Sequence, residues 1–225
     1  LCMFHPVDRH MERGWVGCID GDRVTHLAAQ TLQHFFTGGA SAREHAEYPL
    51  ADVTLLLPVA HPPSIRVFED EATFAFANPA ALVAPGGDAP VPADELAALP
   101  RLCGIVGADG TIACFTLLLE LRAERLAPPK DRDFALGLGP VAVTADELLG
   151  CELELLVRVD GEQRLAASGA GVDWEAVRRV AAAGTHLRTG DLLAGPAVGT
   201  VAGLRREARV EVDAHDIGVL AVTVA

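Results

Sequence analysis

The chain has 225 residues, half of them hydrophobic, with 31 acidic against 18 basic side chains and a formal net charge of −13. That length and apolar share suffice for one sizeable core, or for one domain with a small N-terminal attachment. The acidic balance and the lack of any long basic stretch argue against a nucleic-acid partner, and no apolar run approaches the roughly 20 residues of a membrane-spanning helix, which argues against insertion in a membrane.

In chain order, Trp15 to Ile19, the turn Asp20-Gly21-Asp22 and Arg23 to Leu27 read as a β-hairpin with alternating apolar positions. Thr31 to Phe36 closes on Gly38-Gly39 as a short helix, and Ala42 to Ala46 reads as a second helical piece before Pro49. Val53 to Leu57 is a buried strand. His61-Pro62-Pro63 then breaks regular structure, which sets the join between a small N-terminal module (1–55) and the main domain (56–225) near residue 56. Ile65 to Phe76 is expected to be helical. The apolar stretch from Glu95 through Val106 is turned by Gly107 to Gly110 into the strongly apolar Thr111 to Leu119. Glu152 to Val159 alternates with period two, and Asp160-Gly161 turns it back into Gln163 to Ala166. Trp174 to Ala183 has helical spacing and stops at Gly184, Gly190 to Leu193 turns into a strand, and Ala208 to Val212 pairs with Gly218 to Val224. The sum is an irregular, β-rich α+β domain.

The five cysteines, Cys2, Cys18, Cys103, Cys114 and Cys151, are odd in number, widely spaced and set in apolar, strand-like sequence. They read as reduced core residues, and with no secretory pattern at the start they place the chain in the cytoplasm. Lys130 is the single lysine beside seventeen arginines. Arginine is a permanently charged fork, whereas lysine is a compact ammonium whose pKa responds to burial, so a lone lysine suggests a chemical role. The plain alternative is a surface lysine left by an arginine-rich composition. Ala167 to Gly171 satisfies neither the Gly-x-Ser-x-Gly elbow nor a dinucleotide fingerprint, and His61 and His215 lie in turn-like sequence.

Several pieces occur in a familiar order: His61 to Arg66, Glu95 to Ala97, Lys130 to Asp133 followed by Leu138-Gly139-Pro140 and Val143 to Leu148, Val159 to Glu162, Leu187 to Asp191, and Ile217 to Leu220. Over residues 56–225 this order resembles the fumarylacetoacetate hydrolase family, and the leading hairpin module is similar to the family's small N-terminal domain. The resemblance implies a mixed β-roll around a divalent cation, Mg2+ or Ca2+, held by carboxylates. It also implies a homodimer and a small 2-oxo acid or diketone as substrate. A hard cation binds the two oxygens of such a compound and stabilises the enolate that forms. A nearby lysine adds charge where that oxyanion develops.

Carried onto this chain residue by residue, the resemblance makes Lys130 the family lysine and Asp133, in its Lys-x-x-Asp context, a substrate contact. The family's metal pair Glu-x-Glu-Leu-Ala reads Ala93-Asp94-Glu95-Leu96-Ala97, which keeps Glu95, as ligand or base, and loses its companion. The motif Asn-Asp-x-Ser-x-Arg reads Leu119-Glu120-Leu121-Arg122-Ala123-Glu124, so Glu120 falls on the metal aspartate. The segment after His61 offers Val67-Phe68-Glu69 where the family has a water-activating histidine. Gly195 and Pro196 stand at the substrate-binding Gly-Thr-Pro without its hydroxyl. Two carboxylates are few for Mg2+, and a buried ion pair of Glu95 or Glu120 with Lys130 or Arg122 is the alternative. Two functions stay open: an enzyme working by enolate or oxyanion stabilisation (hydrolysis, decarboxylation, isomerisation or cyclisation), and a catalytically silent binding module or partner subunit of an active paralogue.

Overall fold

The computed structural model describes residues 1–148, 153–169 and 171–225; Cys151, Glu152 and Ala170, which entered the sequence readings, lie outside them. The first sheet comprises β1 (Cys2–Pro6), β2 (Trp15–Asp20), β3 (Arg23–Leu27), β4 (Glu44–Pro49) and β5 (Val53–Leu55), in spatial order β4-β3-β2-β1-β5. The expected hairpin is β2–β3, with Asp20 opposite Arg23 and Gly21 at φ +57°, a left-handed conformation that glycine enters without steric cost. Helix α1 (Leu32–Thr37) also forms as expected: Thr31 caps it by accepting from the His34 N–H, and Leu32, Phe35 and Phe36 make its buried face.

The second helical piece does not form. Its residues run into β4, an edge strand paired with β3 on one side, whose side chains are exposed apart from the half-buried Tyr48. An edge strand with no buried face carries no period-two signal for a reader to find.

The chain continues with β6 (Ile65–Phe68), β7 (Phe74–Ala77), β8 (Leu82–Val83), β9 (Asp88–Ala89), β10 (Leu96–Val106), β11 (Ile112–Arg122) and β12 (Leu136–Thr144). It closes with β13 (Glu154–Val159), β14 (Glu162–Ser168), α2 (Trp174–Ala182), β15 (Leu192–Ala194), β16 (Val201–Leu204), β17 (Arg209–Ala214) and β18 (Gly218–Val224). One sheet has the order β7-β6-β15-β10-β11-β12-β8 with β16 also beside β10, and the other has the order β14-β13-β17-β18-β9. Parallel and antiparallel pairs mix within both, giving the β-rich α+β roll that the sequence suggests. The expected helix over Ile65 to Phe76 is instead the β6–β7 hairpin. Asp70 turns it: one carboxylate oxygen accepts from the Ala72 and Thr73 N–H groups at 2.8 and 2.7 Å and from the Thr73 hydroxyl at 2.9 Å. A short polar side chain that satisfies the backbone two residues on favours a turn over a helix.

Alternation along β10 and β11 divides the core in two. Ala98 and Leu102 with Leu117, Leu119 and Leu121 pack toward the β13–β17–β18 sheet. Cys103 and Ile105 with Cys114 and Leu118 pack toward α1 and the leading sheet, meeting Met3, Val16 and Leu27. No helix among the described residues is long and apolar enough to cross a membrane.

Three cysteines are core residues as expected, and Cys18 is not: Cys2, Cys103 and Cys114 are buried and Cys18 is exposed on β2. Burial pushes the Cys2 and Cys114 thiols up to about 12 and raises Cys103 further. Because the thiolate is the reactive form, Cys18 is expected to react with a disulfide reagent in the native protein while these three react only on unfolding. Counting thiols released with and without denaturant checks this, with Cys18→Ser identifying the fast site.

Candidate functional site

The β10–β11 ladder sets Leu99 directly opposite Glu120 and Arg101 opposite Leu118. Side chains on a strand alternate, so Arg101, Leu99 and Glu120 share one face. Both ionic groups are buried, Arg101 at 0% and Glu120 at 1% exposure. Arg101 Nε donates to Glu120 Oε2 at 3.0 Å, and its Nη2 lies 2.7 Å from the same oxygen. Its Nη1 donates to the carbonyls of Phe68, at 2.6 Å, and Gly195, at 2.8 Å.

Arg122, next on that face of β11, donates from Nε to Glu120 Oε1 at 2.8 Å and from Nη2 to Glu69 Oε1 at 2.6 Å. Arg132 then reaches Glu69 Oε1 from Nη1 at 2.9 Å and Asp131 Oδ2 from Nε at 3.2 Å. Guanidinium and carboxylate groups thus alternate from the core to the surface. Each buried charge has an opposite neighbour, the condition under which the interior tolerates it.

Burial pulls the Arg101 pKa below the usual arginine value, while the charge and hydrogen bond of Glu120 act against it; a guanidinium stays protonated at neutral pH nonetheless. Burial lowers Arg122 as well, but Glu120 and Glu69 outweigh it and leave the group above its usual value. Glu69 is raised by burial, and the hydrogen bonds and charges of Arg122, Arg101 and Arg132 overcome that and hold it below the ordinary carboxylate range. It is an ionised bridge and a weak base.

The candidates named from the sequence fall in three places. Lys130 is exposed in the loop after β11, two residues before Arg132, and its Nζ donates to Asp133 Oδ2 at 2.8 Å. The other oxygen, Asp133 Oδ1, is buried and accepts no hydrogen bond among the described residues. Glu95 precedes β10 and is exposed, pairing with the exposed Arg125 at 2.9 Å. Gly195 is buried after β15, with the half-buried Pro196 following. A Cβ on Gly195 would stand 2.9 Å from the Trp174 ring, which leaves room for glycine alone. The structure therefore joins Gly195 to Glu120 through Arg101, keeps Lys130 with Asp133 in the neighbouring loop, and does not bring Glu95 to Glu120.

At Glu120 the donor set does not suit a divalent cation. Both oxygens of Glu120 are engaged by guanidinium groups, and a metal ion would enter as a third positive charge against two fixed ones. Among the described residues no group of three or more His, Cys, Asp or Glu side chains could hold a metal ion.

Sequence reasoning missed Arg101 and the bridging role of Glu69. A signal existed: Arg101 is the one charged residue of the run Leu96 to Val106, and Glu120 interrupts the apolar run of the next strand. Two lone opposite charges in adjacent buried strands ask to be paired. The Leu187 to Asp191 motif, by contrast, fastens strands together. Asp191 accepts from the Ser64 hydroxyl at 2.7 Å and the Arg188 N–H at 2.7 Å, and it lies 3.4 Å from Arg66. A cavity of about 520 Å3 lies toward the other face of β10–β11, against Leu102, Phe115, Leu153 and Trp174. None of the sequence candidates lines it.

The family model described as "Fumarylacetoacetate (FAA) hydrolase C-terminal" matches residues 36–225. Among solved structures, maleylpyruvate hydrolase from Sphingobium sp. SYK-6 is similar with a TM-score of 0.80 at 22% identity, over 100% of this chain and 98% of that one. The same protein in complex with manganese (II) ion and pyruvate gives a TM-score of 0.79 at 22% identity over 100% and 98%. A 5-carboxymethyl-2-hydroxymuconate delta-isomerase from Mycobacterium smegmatis gives 0.76 at 19% identity, again over 100% and 98%. No curated protein sequence matches the chain.

Proposed function

The chain belongs to the fumarylacetoacetate hydrolase family, and from that premise we propose that it is a metal-independent member acting on a small 2-oxo or 1,3-diketo acid at the outer end of the ion-pair chain. The observation that carries this reading is the cationic rim: Arg122 and Arg132 are partly exposed, and among the described residues Arg122 Nη1 and Arg132 Nη2 take no part in the bonds that order their side chains. A planar fork held in place suits a carboxylate or an enolate oxygen. Lys130 adds an ammonium from the same loop, paired with Asp133 Oδ2.

Such a site suits decarboxylation or tautomerisation better than hydrolysis. Those reactions ask for charge at the developing enolate oxygen, whereas hydrolysis asks for a base that activates water, and Glu69 is held ionised between two arginines. The same reading sets the protein in the cytoplasm as a homodimer.

A second reading, the silent binding module, is favoured by one observation: Lys130 and Glu95 are tied to separate partners, Asp133 and Arg125. The two are separated by assaying an oxo-acid panel in EDTA alongside a thermal-shift titration with oxalate, a stable mimic of an enolate. The enzymatic reading expects turnover that EDTA does not touch and that Lys130→Met lowers about 100-fold, the usual effect of removing one oxyanion donor. Oxalate binding without turnover supports the silent module. Turnover that requires added Mg2+ or Mn2+ overturns the metal-independent reading.

A further inference from the structure

We infer that Arg101 is the resident cation of this fold, a guanidinium tethered in a cage of oxygen atoms of the kind that a hard metal ion occupies. The acceptors around it are Glu120 Oε2, the Phe68 carbonyl and the Gly195 carbonyl, at 2.6 to 3.0 Å. They come from β11, from the end of β6 and from the residue after β15, segments that the strand order β6-β15-β10-β11 brings together around Arg101 on β10. Carboxylate and backbone carbonyl oxygens are the donor class of Mg2+, Mn2+ and Ca2+. The cage here is satisfied by N–H donors of a side chain that is 0% exposed.

The ladder identifies what would reverse the arrangement. Leu99 faces Glu120 across β10–β11, and Arg101 is the next residue on the same face. Carboxylates at 99 and 101 would converge with Glu120 on the space that the guanidinium fills, giving three carboxylates and two carbonyls. That donor count suits a divalent ion. Arginine can substitute for the ion's charge but not for its chemistry. It offers no open coordination position and cannot bind both oxygens of a substrate from a fully buried seat.

The experiment uses the full chain and reads metal and melting temperature, so it stands or falls apart from the oxo-acid reading. Wild-type protein dialysed against EDTA is titrated with Mn2+ alone, as are Arg101→Ala and Leu99→Glu/Arg101→Glu. The expected result is an unchanged wild-type melting temperature, and for the double variant a rise with Mn2+ and about one bound manganese per chain by elemental analysis, as binding coupled to the folded state requires. Arg101→Ala, which opens the cage without adding charge, keeps the test readable if the double variant does not fold; Mn2+ is expected to recover part of its lost melting temperature. Stabilisation of the wild type by Mn2+ that disappears in Glu120→Gln would overturn the inference. So would folded variants whose melting temperatures ignore Mn2+.

Discussion

Glu120→Gln is expected to destabilise the protein by about 3–5 kcal/mol, the usual result of removing one partner from a buried ion pair. Glutamine keeps the shape and loses the charge, so the packing of β11 is untouched while Arg101, fully buried, is left facing a neutral amide. Arg122 suffers less, because it is partly exposed and retains Glu69. For a chain of this length the change corresponds to a melting temperature lower by about 2–4 °C per kcal/mol, and urea denaturation followed by circular dichroism measures it directly. Glu95→Gln is the matched control. Its pair with Arg125 is exposed on both sides, and surface pairs contribute about 0–1 kcal/mol. The double variant Arg101→Leu/Glu120→Leu is expected to recover part of that loss, since no unpaired charge stays buried, but not all of it, because the Phe68 and Gly195 carbonyls lose their donor. A Glu120→Gln protein that melts with the wild type would show that the buried pair does not hold β10 to β11.

That contrast between Glu120 and Glu95 also shows where the sequence was informative. Hairpins with turn residues between alternating runs, β2–β3 and β13–β14, and helices with a cap and a spaced apolar face, α1 and α2, follow from local rules and appear where expected. The β6–β7 hairpin does not follow from those rules: Ile65 and Phe68 are three apart, a helical spacing, and its turn rests on one side chain, Asp70, rather than on glycine or proline. The motif order led correctly to the family. The resemblance puts the Glu-x-Glu pattern at Ala93 to Glu95, and the ladder sets Leu99 opposite Glu120 with Arg101 next on the same face. Register between strands is a tertiary property fixed by the turn at Gly107 to Gly110 and by which face is buried. A six-residue shift along such a run is invisible without it.

The second large effect concerns the other buried pair. Asp191→Ala is expected to destabilise the protein by about 3 kcal/mol or more, since Arg66 is 5% exposed and has no other carboxylate partner among the described residues. The Ser64 hydroxyl and the Arg188 N–H lose their acceptor as well. Asp191 precedes β15 and Arg66 lies in β6, two strands paired in parallel with Leu192 beside Ile65. Arg101 holds the far end of the same pair through the carbonyls of Phe68, the last residue of β6, and Gly195, just past β15. The two ionic networks therefore clamp one strand pair at both ends, and their losses should not add. Once Asp191→Ala has loosened β6 from β15, the Phe68 carbonyl is no longer fixed for Arg101, and Glu120→Gln has less left to disrupt. The double variant Asp191→Ala/Glu120→Gln is expected to fall short of the summed single losses by about 0.5–3 kcal/mol, the range found for residues that share a network. Strict additivity in the four-way denaturation cycle would mean that the two pairs stabilise the roll independently, and that β6–β15 is held by its backbone ladder rather than by its ends.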